Sequence, residues 1–190
     1  MDLSVWIRRV PGMFWMPAKH WNDTPLFTVE PDLLVVHSGS IAEDVAEFER
    51  DIGQVEYTDK TTGELHIVLT CYHVAWSTEQ RAFVQQVELC CEAWHAGGSL
   101  WRGQSHTNAH SLSMAFPGPA AVSRPTTVLD AAVNAVVRMQ IARPSVKYWC
   151  RHSDVDLNKR DPGAGVPNSI FDGILEYVPE RHLHIPSSSS

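Results

Sequence analysis

The chain has 190 residues, a formal net charge of -7, 44% hydrophobic residues and 19% charged residues. This length favours one domain with a core of its own. The acidic balance argues against a nucleic-acid partner, because phosphates would be repelled. A membrane partner is also not predicted, since no run reaches the roughly 18 apolar residues of a membrane span.

The two ends of the chain differ in composition from its middle. Residues 1–30 are rich in tryptophan and proline and predict an N-terminal arm, whereas residues 179–190 end in IPSSSS and predict a disordered tail. Residues 31–178 are left as the domain. The start, MDLSVWIRRVPGMFW, places its acid before its arginines, unlike a secretory signal. We therefore expect synthesis in the cytoplasm without a signal peptide.

The four cysteines include an adjacent pair and no CxxC motif. This pattern suits neither a disulfide framework nor a zinc knuckle. We expect reduced thiols, as is usual in the cytoplasm. The sequence gives no indication of an oligomeric state.

The first half of the domain begins with a buried strand. DLLVVHSG is a continuous apolar run that ends at His37. IAEDVAEFERD predicts a helix with Ile41, Val45 and Phe48 on one face. GELHIVLTCYHVAW is rich in strand-forming residues, and RAFVQQVEL predicts a second strand that pairs with it through STEQ.

The second half alternates strand, helix and strand. HSLSMAFPG predicts a buried strand, and VKYWC predicts a short one. Between them, TTVLDAAVNAVVRMQIARP predicts the longest helix, with capping-box spacing at Thr127 and Asp130 and a stop at Pro144. Its predicted apolar stripe is Leu129, Val133, Val136 and Val137. The alternation predicts an α/β fold, a single domain with a central mixed β-sheet and helices packed on it.

Three residues near predicted strand ends have the chemistry of a metal site. His37 ends one strand, His152 follows another, and Asp161 lies nine residues later. Two histidines and a carboxylate form a known catalytic zinc set that leaves a fourth position for water. Lys159 would add a compact positive charge beside it. The alternative is that RDPG is only a turn, for which Asp-Pro-Gly suffices.

The order of short motifs along residues 31–175 adds a second argument. LLVVH is followed by CYH, then by WHAGGS, NAHSLS, the long helix, and finally His152 with KRDPG behind it. This order resembles that of the type 2 N-acetylmuramoyl-L-alanine amidases, a zinc fold shared with animal peptidoglycan recognition proteins and small phage amidases. The resemblance implies Zn²⁺ at the strand ends, bound by His37, His152 and Asp161. It also implies that Tyr72 and Lys159 flank the metal as catalytic groups.

The resemblance further implies that Trp94, His95 and Asn108 line a groove for the substrate, with peptidoglycan or a muropeptide as partner. Relative to the family pattern, residues 50–66 look like an insertion. A second departure concerns Ala115, which stands where cytoplasmic recycling amidases have a glutamate. Recognition proteins and phage amidases also lack that glutamate and use a tyrosine that Tyr72 matches. His73 is predicted to be structural rather than a fourth ligand.

The function implied is hydrolysis of the amide between the lactyl group of N-acetylmuramic acid and L-alanine. A phage or prophage lysis enzyme is the simplest setting, with the protein acting on the cell wall after release or carried in a phage particle. Two alternatives stay open: a non-catalytic peptidoglycan-binding or structural protein on the same fold, and an amidase for another amide. The presence of all three metal ligands favours catalysis.

Overall fold

A six-stranded mixed sheet forms the centre of the structure, a computed structural model that describes residues 7–39, 44–58, 62–120 and 122–179. The strands in chain order are β1 Leu33–Ser38, β2 Gln54–Thr58, β3 Leu65–Leu69, β4 Val74–Ser77, β5 Ala82–Gln85, β6 Leu100–Trp101, β7 Gln104–Ser105, β8 Ser111–Phe116, β9 Tyr148–Arg151 and β10 Glu176–Tyr177. The helices are α1 Val45–Asp51, α2 Thr126–Ala142 and α3 His152–Val155.

The central sheet has the strand order β10-β9-β1-β8-β4-β5. All its neighbouring strands are parallel except β4 and β5, which form the antiparallel pair predicted through STEQ. Parallel strands buried on both faces need continuous apolar sequences, which explains LLVV in β1. The predicted single α/β domain with a mixed sheet is confirmed.

The alternation of side chains along β1 determines which face carries His37. Leu34 and Val36 belong to the main core, which also contains the buried face of α2. Leu33 and Val35 pack on the other face with Cys150 and Val155. Because successive residues of a strand point to opposite faces, His37 lies on the second face, near α3.

Helix α2 is present as predicted, but its details differ from the prediction. The helix begins at Thr126, so Thr127 lies within its first turn and cannot cap it, and no side chain caps the helix. Of the predicted stripe only Val136 is fully buried, and Val137 is exposed. The buried face is Val128, Ala132, Ala135, Val136, Met139 and Ala142. These positions follow helical spacing and include small alanines that allow close approach to the sheet.

The run GELHIVLTCYHVAW, read from sequence as one strand-rich segment, contains two strands in different sheets. β3 pairs with β2 in a separate hairpin, whereas β4 belongs to the central sheet. Between them the Thr70 N–H donates to the Gly53 carbonyl and the Cys71 N–H donates to the Trp94 carbonyl. The predicted insertion at 50–66 thus contributes most of a hairpin.

The described part of the N-terminal arm packs onto the domain. Val10, Ala18 and Phe27 are buried, and Leu26 forms an isolated bridge with Cys91. Residues 1–6, 180–190 and Ile41 lie outside the described residues, so the predicted tail and part of the predicted α1 face are not seen. The division into arm, domain and tail stays a prediction. Among described residues, no helix combines the length and apolar character needed to cross a membrane.

Candidate metal centre

His37, His152 and Asp161 come together at one edge of the central sheet. His37 is near the end of β1, and His152 follows β9, the parallel neighbour of β1. Parallel strands bring their carboxyl ends to the same edge. One donor atom from each of the three side chains lies within 4.8 Å of the others.

The separations of the donor atoms suit a metal ion. His37 Nδ1 lies 3.4 Å from Asp161 Oδ2, and His152 Nδ1 lies 3.2 Å from the same carboxylate. With bonds of about 2.0–2.1 Å to nitrogen and oxygen, the ligands of a tetrahedral ion are separated by about 3.3 Å. The three residues therefore fit a divalent ion with nitrogen and oxygen ligands.

Backbone contacts hold Asp161 in place. The Ser153 N–H donates to the Asp161 carbonyl at 3.0 Å, which closes the loop, and the Ser38 N–H lies 3.4 Å from Asp161 Oδ2. Gly163 follows with a φ of +65°, and its α-carbon lies against the Ala120 backbone where a Cβ would clash. The polar loop thus returns Asp161 to the start of α3, as the sequence predicted.

The protonation states also suit a metal. Burial, and then the charge of His152, lowers the pKa of His37 to about 4. Burial alone would raise the pKa of Asp161, but hydrogen bonds with His152 and His37 hold it well below its ordinary value. At neutral pH the cluster therefore holds a neutral His37 and an ionised carboxylate, the forms that bind metals.

Comparisons with known proteins identify the fold. No protein-family model matches the chain, and no curated protein matches it either. Among solved structures, an AmpD derivative is similar over 88% of this chain and 96% of its own, with a TM-score of 0.68 and 18% identity. The similarity to the endolysin amidase LysCS from Clostridium intestinale extends over 84% of this chain and 92% of that protein, with a TM-score of 0.56 and 15% identity. The similarity to human PGRP-IBETAC, in complex with a glycosamyl muramyl pentapeptide, extends over 88% of this chain and 99% of that protein, with a TM-score of 0.59 and 16% identity.

This chain has the type 2 amidase fold. The resemblance drawn from the motifs is thereby confirmed at the level of fold. Identities of 15–18% establish the architecture only, so the activity has to be argued from the residues at the site.

A groove of about 580 Å³ lies beside the His37–His152–Asp161 cluster of this amidase fold. The residues predicted to bind substrate, Trp94, His95 and Asn108, all line it, together with His152 and Lys159. The β2–β3 hairpin also lines the groove, through Val55, Ile67, Val68 and Leu69. The structure thus brings the predicted groove residues and Lys159 to one place.

Tyr72 lies beside His37, with ring centroids 5.1 Å apart. Burial, followed by the nearby charges of Glu49 and Asp161, raises its pKa well above the ordinary value. The phenol therefore keeps its proton at neutral pH and can act as a hydrogen-bond donor. Tyr72 is not among the described residues that line the groove.

Sequence reasoning missed a buried carboxyl group close to Tyr72. Glu49 of α1 is only 2% exposed, and both its carboxyl oxygens lie 3.1 Å from Thr70 Oγ1. Burial raises the pKa of Glu49 to about 7, against the opposing effect of the Thr70 hydrogen bond. Thr70 itself lines the groove. A polar position on a short surface helix gave no signal of this burial.

His73 is structural, as predicted. Its Nδ1 lies 3.0 Å from Ser113 Oγ and its Nε2 lies 2.8 Å from the Cys91 carbonyl. Both ring nitrogens are therefore engaged within the fold. Burial lowers the pKa of His73 to about 4, so the ring is neutral.

A second group of donor atoms lies away from the groove. Glu88, Cys90 and Cys91 also have donor atoms within 4.8 Å of one another, and the two sulfurs are 3.8 Å apart. The Glu88 carboxylate, however, forms ion pairs with Arg8 at 3.4 Å and Arg9 at 3.5 Å. Arginine cations already neutralise the carboxylate of this second cluster.

Proposed function

We propose that this chain is a zinc-dependent N-acetylmuramoyl-L-alanine amidase, which hydrolyses the lactyl–L-alanine amide of peptidoglycan or of a muropeptide. One observation carries the proposal: an amidase fold presents two imidazoles and a carboxylate at metal-ligand separations beside an open groove. His37, His152 and Asp161 are the proposed ligands. A bound zinc ion would lower the pKa of its water to about 7 and polarise the scissile carbonyl.

The residues around the cluster supply the rest of the proposed chemistry. Lys159, exposed at the groove, offers a compact positive charge to the oxygen that becomes negative during the reaction. Tyr72, with its proton retained, offers a second donor. Ala115 lies beside His37 in the register of β1 and β8 and cannot accept a proton. Proton transfer therefore depends on a hydroxyl group or on the substrate itself.

The groove walls are the proposed substrate contacts. Trp94 offers an aromatic surface, while the Asn108 Oδ1 accepts the Ala96 N–H at 2.8 Å and so shapes the WHAG loop. A setting in phage or prophage lysis is part of the proposal. It is supported by the fold likeness to an endolysin amidase, and it implies action on the cell wall after release or from a phage particle, with antimicrobial potential.

The decisive measurement is metal content together with cleavage of purified peptidoglycan, with and without a chelator. One zinc per chain and chelator-sensitive release of fragments with new L-alanine N-termini would support the amidase. Stoichiometric zinc without release from any wall preparation would favour a binding protein on the same fold. A chain that binds no zinc would contradict the proposal. Mass spectrometry of the released fragments separates this reaction from cleavage of another amide.

A further inference from the structure

A continuous chain of hydrogen bonds runs from a backbone carbonyl to His37. Ser111 Oγ lies 2.7 Å from the Thr107 carbonyl and 3.2 Å from His95 Nε2. His95 Nδ1 in turn lies 3.0 Å from His37 Nε2. All four residues are buried, so water does not compete for these contacts.

The direction of each hydrogen bond follows from counting protons. A carbonyl only accepts, and a serine hydroxyl has one proton, so Ser111 donates to Thr107 across the shorter contact. Ser111 Oγ then accepts the proton on His95 Nε2. A neutral imidazole carries one N–H, which leaves His95 Nδ1 as an acceptor.

The same count continues into His37. A metal ion on His37 Nδ1, the atom 3.4 Å from Asp161 Oδ2, would require the single proton of that neutral ring to lie on Nε2. His95 Nδ1, 3.0 Å from this Nε2, is then the acceptor. The count from Ser111 and the count from the metal position thus give the same direction for the contact between the two histidines.

We propose that His95 is a positioning residue that, oriented by Ser111, holds His37 in the tautomer whose Nδ1 lone pair faces the metal position. Both nitrogens of His95 are used in this chain, so neither is left to bind the substrate. The proposal rests on the proposed metal site and deepens it. Partners of this kind typically change metal affinity by about 10–100-fold when removed.

The chain offers a matched control for a merely structural role. His73 is also buried, is hydrogen-bonded to Ser113, and has its ring centroid 6.3 Å from that of His95. Its nitrogens bond to Ser113 and Cys91 rather than to a proposed ligand. Loss of His73 should affect stability without acting on the tautomer of His37.

The test measures zinc affinity of the full chain by competition with a chromogenic chelator. We expect His95→Phe to weaken zinc binding by about 10–100-fold, and His73→Phe to leave it within threefold of wild type. His95→Asn, whose side-chain oxygen replaces the acceptor Nδ1, should recover most of the affinity. A folded His95→Phe variant with wild-type affinity would overturn the proposal.

A second readout does not depend on variants or on zinc. Nitrogen-15 NMR of the imidazoles in the metal-free wild-type chain reports which nitrogen of His95 carries the proton. We expect the Nε2–H tautomer of His95, which leaves its Nδ1 to accept from His37, and an Nδ1–H tautomer of His95 would overturn the proposal even if His95→Phe fails to fold. If the wild-type chain binds no zinc, the proposed function fails, while this measurement still decides the direction of the hydrogen bonds.

Discussion

Two clusters of side chains in this protein offer atoms that could bind a metal: the first is His37, His152 and Asp161, and the second is Glu88, Cys90 and Cys91. The two clusters differ in the groups that surround their carboxylates. Asp161 lies between two imidazoles whose Nδ1 atoms are 3.2 and 3.4 Å away. Glu88 lies near two thiols but is already paired with Arg8 and Arg9. The donor atoms are similarly close in both clusters, so proximity alone does not favour either one as the proposed metal site. A carboxylate already paired with arginines has less to gain from a metal than one whose neighbours are imidazole nitrogens that can themselves bind the metal.

Asp161→Ala provides the largest expected effect. Removing the only anionic member of the first cluster should abolish zinc binding and, with it, amidase turnover. Metal analysis and peptidoglycan cleavage measure both losses. The double variant Cys90→Ser, Cys91→Ser is the matched control, and it should keep one zinc per chain. If Asp161→Ala kept its zinc and the double serine variant lost it, the second cluster rather than the first would be the zinc site.

Lys159→Met and Tyr72→Phe should separate catalysis from metal binding at the first cluster. Each removes a group proposed to stabilise developing negative charge, and such a loss typically costs on the order of 100–1,000-fold in turnover. Zinc content should stay at the wild-type level, because neither residue is a proposed ligand. Full turnover in either variant would remove that residue from the proposed mechanism.

The approach of Asp161 to His152 could be predicted because it depends on short-range features, whereas the meeting of these two residues with His37 is long-range and was predicted from the strand ends and from the order of the motifs. An apolar strand ends at His37, another strand precedes His152, and the loop to Asp161 is only nine residues long. A polar loop of that length with an Asp-Pro-Gly turn has few ways to close. The strand alternation likewise gave the mixed sheet.

The features that could not be predicted depend on contacts between distant segments. His95 meets His37 across 58 positions of sequence, and nothing local distinguishes a groove histidine from a hydrogen-bond partner of a ligand. The face of α1 was predicted from Ile41, Val45 and Phe48. The buried residues of α1 are Val45, Ala46 and Glu49, so a glutamate expected on the polar side lies in the core.

Glu49 extends the comparison to a third carboxyl group, whose hydrogen-bond partner among the described residues is the Thr70 hydroxyl rather than an imidazole or an arginine. Its pKa of about 7 lies above the ordinary 4.5, so the folded chain holds this proton more tightly than the unfolded chain. Stability from Glu49 is therefore complete below about pH 4.5 and is lost as the pH rises towards 7. The loss amounts to about 3 kcal/mol.

Urea denaturation of wild type and Glu49→Gln between pH 4.5 and 8 tests this sign. The free energy of unfolding of the wild type should fall relative to that of the glutamine variant as the pH rises. Glu79→Gln, at an exposed glutamate, should run parallel to the wild type. A wild type that gains stability relative to Glu49→Gln over this range would show that Glu49 is ionised in the folded chain.

The smallest expected effect comes from the arginines of the second cluster. Arg8 and Arg9 have side chains that are 67% and 43% exposed, so solvent screens their pairs with Glu88. Pairs of this kind contribute about 0.2–1 kcal/mol each, and Arg8→Ala should lower the free energy of unfolding by no more than that. If Arg8 and Arg9 also keep cations from the second cluster, the double alanine variant should bind a second zinc with measurable affinity. If the double alanine variant still binds one zinc per chain, the arginines do not explain the difference between the two clusters. The difference would then lie in the ligand types, which are imidazoles in the first cluster and adjacent thiols in the second.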